Sequence, residues 1–386
     1  MNTKQYQAFL VKNQGQDYKW LAEKTGRTAE SVRKSYTKLG LPPKKITTQN
    51  TKIEDPEKQF QIEMEKLRLN YSEKKTDVKY QIALKAVRVL EEHIEALIQA
   101  KVPVSTYTIK PSKGSGGEAV AVVLASDWHV EENVRPDTVN GSNEYNMEIA
   151  KRRAEKFFQH TLQLVQKEQQ AIKIETLCVA LLGDFISGNI HEELLASCEV
   201  GPVDAMTFAK NLIASGIEFL LANSKLKLVI PCTVGNHSRI TKKVHVSGEQ
   251  GMSLEWAMYN FLADHFKNEK RVTFVLSRSY HNYVDILGHL IRFHHGHAVQ
   301  YGGGLGGLTI PMVKAVMRWD NDKKAYLSCC GHFHQKMDGE RFVVNGSLIG
   351  DAPYGKRLGF TSRPEQVFFL IDAKRGKTIV APILVS

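Results

Sequence analysis

The chain has 386 residues, 42% hydrophobic and 24% charged, which is enough apolar material for a buried core and too much length for a single one. No apolar stretch reads as long enough to span a bilayer, and the opening "MNTKQYQAFLVKNQ" lacks the apolar centre of a secretory signal, so neither a membrane nor secretion is expected. The net charge of +11 leaves open a polyanionic partner. Five cysteines (Cys178, Cys198, Cys232, Cys329, Cys330) show no C-x-x-C spacing and mostly sit in apolar runs. That pattern predicts reduced, buried thiols and a cytoplasmic location.

The basic excess is local. Residues 1–50 hold 10 Lys/Arg against 3 Asp/Glu, whereas residues 118–386 hold 30 against 28. Charge alone divides evenly between a nucleic-acid contact and a solubilising tail. The pattern is more specific in "YKWLAEKTGRTAESVRKSYTKLGLP". Ala22, Gly26 and Val32 have helix-turn-helix spacing: the small Ala permits close helix packing, Gly26 supplies the positive φ of the turn, and Val32 points the second helix inward. Thr28 is placed to cap that helix. Its outer face carries Arg27, Arg33, Lys34 and Lys38, the expected DNA contacts of a unit spanning residues 1–45. Helix-turn-helix units also serve as protein-contact modules.

Residues 46–117 read as an amphipathic helical or coiled-coil linker. Phe60, Met64, Leu67 and Tyr71 form one row at steps of three and four, and Ala83, Val87, Leu90, Ile94 and Leu97 form another. Self-association through residues 55–100 is one expectation, and a helix resting on the following domain is the other. "KPSKGSGGEA" marks a joint.

From residue 118 to 386 the pattern changes to α/β. "AVAVVLAS", "TLCVALL", "LKLVIPCTV", "HLIRFHH", "AYLSCC", "RFVVNG" and "QVFFLI" read as strands, and 148–168 and 204–222 as helices. Five strand ends carry metal-competent groups: "SDWH" with Asp127 and His129, "GDFISGN" with Asp184, "VGNHSR" with Asn236 and His237, "FHHGH" with His294, His295 and His297, and "CCGHFHQ" with His332 and His334. Sites in open α/β sheets form at that edge. Carboxylate, imidazole and amide oxygen together suit manganese foremost, with iron or zinc as alternatives. The donors are too many for one ion. A shared carboxylate can bridge two ions ~3.5–4 Å apart, an arrangement that activates water and neutralises phosphoryl charge.

The order D-x-H, GD, GNH, HG, GHxH resembles the calcineurin-like metallophosphoesterase superfamily over roughly residues 118–350. The resemblance implies an αββα two-sheet sandwich flanked by helices, here preceded by an all-α helix-turn-helix and helical linker. It implies that Asp127, His129, Asp184 and His334 bind one ion, that Asp184, Asn236, His295 and His332 bind a second, and that Asp184 bridges them. His237 would contact the phosphate and protonate or stabilise the leaving oxygen. His295 is preferred over His294 because Gly296 follows it. Two departures stand out. Ser238 occupies a position that often carries a carboxylate, and "GDFISGN" offers only Asn189 where a further Asp or Asn is usual. His297 and Arg239 are expected to bind substrate, with Lys242, Lys243 and His245 available to further phosphates. "YGGGLGG" over 301–307 is a flexible loop or a lid, and without a GK[ST] ending it is no P-loop.

The expected function is hydrolysis of phosphodiesters by a DNA nuclease targeted by its N-terminal unit. The alternatives are a phosphatase or cyclic-nucleotide phosphodiesterase acting on small molecules, and a non-catalytic DNA-binding or assembly protein.

Overall fold

The computed structural model describes residues 3–13, 18–39, 106–110, 117–190, 194, 197–301 and 307–386. The apolar rows expected over 55–100, and with them the self-association surface, lie outside these residues, as does most of the glycine run 301–307. The chain divides into two compact units, Met1–Val87 and Arg88–Ser386.

The first unit contains α1 (Thr3–Lys12), α2 (Tyr18–Thr25) and α3 (Ala29–Lys38). Tyr6, Leu10, Leu21, Ala22, Val32 and Tyr36 form its core. Gly26 turns the chain out of α2 with φ 66°, and Thr28 Oγ1 accepts the Ser31 N–H at 3.2 Å to cap α3. Arg27, Arg33, Lys34 and Lys38 are all exposed. Three of them already have partners. Arg33 and Lys34 share Glu30 at 3.3 and 3.8 Å, and the Arg27 guanidinium lies 4.0 Å from the centre of the Tyr6 ring. Such surface pairs contribute ~0–1 kcal/mol and exchange readily for another anion.

The second unit is built on two six-stranded sheets. The larger set of parallel neighbours runs β2 (Ala119–Ala125), β3 (Thr176–Leu181), β4 (Lys227–Cys232) and β5 (Val272–Leu276). β11 (Glu365–Asp372) and β12 (Gly376–Leu384) extend that sheet antiparallel beyond β2. The second sheet has the order β1 (Tyr107–Ile109), β6 (Asn282–Ile286), β7 (His289–Phe293), β8 (Leu327–Cys330), β10 (Phe342–Val344), β9 (Met337–Asp338). β7, β8 and β10 are parallel. β1, within the stretch read as linker, pairs with Val284–Ile286.

The alternation of β2 explains the layering. Ala119, Ala121, Val123 and Ala125 face a helical layer of α4 (Met147–Glu168), α5 (Pro202–Asn223) and α6 (Leu254–His265). Val120, Val122 and Leu124 face the other way, against Ile291, Phe293, Cys329 and Val343 of the second sheet. α7 (Thr309–Asp320) covers the far side of that sheet with Met312 and Val316. The result is the two-sheet α/β sandwich flanked by helices that the motif order implies.

One expectation needs correction. α5 is long and apolar enough to cross a membrane by length and composition, with a mean hydropathy of 1.2. Its Ala205, Ala209, Ile213, Ile217 and Leu220 lie in the core of the sandwich. Gly216 brings it against α4, since a Cβ there would sit 2.0 Å from Phe158. The five cysteines are free thiols, four of them buried.

Candidate metal centre

The carboxyl ends of β2, β3 and β4 in one sheet meet those of β7 and β8 in the other. Asp127 follows β2 and accepts the His332 N–H on both carboxylate oxygens at 3.0 Å. His295 follows β7, and its Nδ1 lies 2.7 Å from the Leu182 carbonyl. These bonds cross between the sheets and join their edges.

Two donor groups result. Asp127, His129 and His334 form one, and Asp184, His295 and His332 the other, each with donor atoms within 4.8 Å of one another. His332 and His334, two residues apart, thus serve different groups. His334 Nε2 lies 3.4 Å from Asp127 Oδ1, and His295 Nε2 lies 2.8 Å from Asp184 Oδ2. The other Asp184 oxygen, Oδ1, accepts the His237 N–H at 2.8 Å.

The backbone is bent to this purpose. Asp127, His129, Asp184, His332 and His334 all have φ between 48° and 73°. A left-handed conformation costs a non-glycine residue ~1–3 kcal/mol and persists only where its surroundings impose it. Glycines make the remaining room. A Cβ on Gly235 would lie 2.1 Å from Asp184 Oδ1, and one on Gly331 would lie 2.5 Å from Asp127 Oδ2.

The site lacks its full complement of polar partners. Among the described residues, His129 Nε2 and Asn236 Oδ1 are buried with no hydrogen-bond partner, although buried polar atoms are ordinarily satisfied. Two buried carboxylates, four converging imidazoles and the unsatisfied Asn236 oxygen fit divalent cations. The electrostatics of the donors differ from one to the next. Burial disfavours a charge on His295, yet Asp184 beside it lifts its pKa to about 10. Burial opposes ionisation of Asp184 as well, and His295 and His237 hold it well below the usual carboxylate range. Burial depresses His129, and neighbouring His237 and His334 depress it further. Burial and His295 take His332 down to about 3.

The remaining candidates fall around this core. The His237 ring lies edge-on to His129, centroids 4.8 Å apart. Arg239 donates to the Asn236 carbonyl; burial lowers its guanidinium, and Asp184 and Glu249 oppose that shift. His297 Nε2 is 2.7 Å from Glu249 Oε1, and its ring stands 5.5 Å from that of His295. His294 is fully buried beside Trp319 and Tyr280 and belongs to neither donor group. Asn189 is exposed, as are Lys242, Lys243 and His245.

Glu255 of α6 went unnoticed in the sequence. It is fully buried, and its carboxylate accepts the N–H groups of Phe185 at 2.6 Å and Gly235 at 2.8 Å. It also accepts the Ser238 hydroxyl at 3.1 Å. A carboxylate therefore stands behind the GNH motif, supplied by a helix through Ser238. Burial and Asp184 raise the Glu255 pKa to about 8. An acid within the apolar run "LEWAMYNFLA" was the available signal.

No family model matches the sequence, and no curated protein matches it. Among solved structures, the chain is similar to a conserved uncharacterized protein from Streptococcus pneumoniae, described as a predicted phosphoesterase, at 10% identity and TM-score 0.28, covering 66% of this chain and 83% of that one. It is similar to Vps29 complexed with zinc from Entamoeba histolytica at 11% identity and TM-score 0.27, covering 68% and 99%. The calcineurin-like phosphoesterase YfkN from Bacillus subtilis gives 12% identity and TM-score 0.26, covering 70% and 91%. Likenesses at this level add nothing to the topology and the donor geometry.

Proposed function

We propose that the chain is a phosphoesterase that uses two divalent cations, foremost manganese. The observation that carries this reading is the pairing of two donor groups, each a buried aspartate with two imidazoles, drawn from the strand ends of both sheets. Asp127, His129, Asp184 and His334 would hold one ion, and Asp184, Asn236, His295 and His332 the other. The ions, when bound, supply an activated water and neutralise phosphoryl charge. The chain's own residues do the rest. His237, held by its backbone N–H on Asp184, gives a proton to the leaving oxygen. Arg239 and His297 orient the non-bridging phosphate oxygens.

The substrate proposed is DNA, and the location cytoplasmic. Arg27, Arg33, Lys34 and Lys38 would meet backbone phosphates, with Glu30 giving up its two cations. Thr28, Glu30, Ser31, Lys34, Ser35 and Lys38 line a shallow hollow on α3. The test incubates Mn²⁺-loaded protein with end-labelled DNA and with a bis-aryl phosphate, beside His334→Ala. Cleavage of both that needs Mn²⁺ and His334 supports a nuclease. Hydrolysis of the aryl ester alone moves the substrate to small phosphodiesters. Inertness toward both contradicts the phosphoesterase reading.

A further inference from the structure

We propose that Ser187 is a positioning residue that fixes the tautomers of two histidines at once, His129 through its hydroxyl and His237 through its carbonyl. The inference rests on the metal-centre reading above. It concerns a loop residue to which the motif order assigns no role.

The hydrogen bonds determine the proton positions. Ser187 Oγ donates to Glu132 Oε2 at 3.1 Å. A hydroxyl has one proton, so toward His129 Nδ1, 2.9 Å away, the same oxygen accepts. His129 therefore carries its proton on Nδ1. Its Nε2, buried and without a hydrogen-bond partner among the described residues, keeps a lone pair for a cation. Fixing a ligand's tautomer through its other nitrogen raises its basicity and orients the ring.

The second bond works by the same logic. His237 Nδ1 lies 3.0 Å from the Ser187 carbonyl. A carbonyl only accepts, so Nδ1 is protonated whether the ring is neutral or charged. The proton His237 exchanges with substrate is therefore the one on Nε2.

The loop is held so that both bonds coexist. Glu131 Oε1 accepts the backbone N–H groups of Ser187 at 2.8 Å and Gly188 at 2.9 Å. Gly188, with φ 61°, lies so close to His237 that a Cβ would sit 2.5 Å from the His237 carbonyl oxygen. Glu131 and Ser187 are both buried. The chain from Glu132 through Ser187 to His129 ends at the metal centre, and a single residue ties that centre to the catalytic imidazole.

The test has two readouts, neither of which needs hydrolysis. The first is the ¹⁵N spectrum of the wild-type, metal-free protein, with His129→Gln and His237→Gln for assignment. It is expected to show both rings protonated on Nδ1 near neutral pH. Either ring neutral and protonated only on Nε2 overturns the proposal. The second is calorimetric binding of Mn²⁺ to the full chain. Ser187→Ala keeps the carbonyl and removes the hydroxyl. It is expected to weaken one Mn²⁺ site by ~10–100-fold, and Ser187→Thr is expected to restore it. Wild-type affinity in Ser187→Ala, or equal weakening in Ser187→Thr, overturns the proposal. If Ser187→Ala fails to fold, the wild-type spectrum alone decides.

Discussion

At the residue scale, the strained backbone and the motif glycines make one device. Five candidate ligands sit in left-handed conformations, and Gly235 and Gly331 leave no room for a methyl beside the two aspartates. Gly235→Ala is expected to displace Asp184 and lower Mn²⁺ affinity by more than ~10-fold, read by calorimetry; unchanged affinity would show that Asp184 does not bind an ion. His294 and His295 separate in the same way. His295→Ala should lose a metal ion by elemental analysis, whereas His294→Phe should keep the full complement, because His294 packs against Trp319 and Tyr280. The donors were readable from sequence because each follows a strand and stands within two residues of a glycine or another donor. Ser187 was not, because it acts through loop geometry, which neither spacing nor composition records. Glu255 left a trace, an acid within an apolar run, but its partners are set by helix packing.

At the element scale, the strands of both sheet centres were readable as short apolar runs. The elements missed were β1, β5, β6, β9, β12, α6 and α7. β5 and β6 are half-buried and carry Thr273, Asn282 and Asp285 among their apolar residues. β12 is an edge strand interrupted by Pro382. α7 is fixed to its sheet by charge as well as by packing. Arg292 on β7 is fully buried, 2.8 Å from Asp320 Oδ1, while Arg341 reaches Asp320 Oδ2 at 2.7 Å. Asp320→Asn is expected to destabilise the protein by ~3 kcal/mol, measured by denaturant unfolding, because it leaves a buried cation uncompensated. Burial opposes ionisation of Asp320, but Arg292 and Arg341 hold its carboxyl below the ordinary 3.8. A depressed acid stabilises above its unfolded pKa. This contribution is therefore complete at neutral pH and is lost as pH falls below 3.8. The Asn variant should accordingly show a shallower acid limb of stability.

At the scale of the whole molecule, the reading joins a basic three-helix unit to a sandwich whose strand ends gather metal donors. Arg33→Ala with Lys34→Ala in the full chain should weaken DNA binding similarly for all sequences. It should reduce the slope of log affinity against log salt by ~2 and leave hydrolysis of a bis-aryl phosphate unchanged. An unaltered slope would remove α3 from the DNA contact. The central claim is that the two donor groups bind two ions through a shared Asp184, and counting metal tests it most directly. Purified protein would be loaded with Mn²⁺, freed of excess, and assayed for bound metal beside Asp184→Asn. The account predicts two ions per chain in the wild type and at most one, weakly held, in the variant. No bound metal in the wild type, or the same two ions in both proteins, would contradict it.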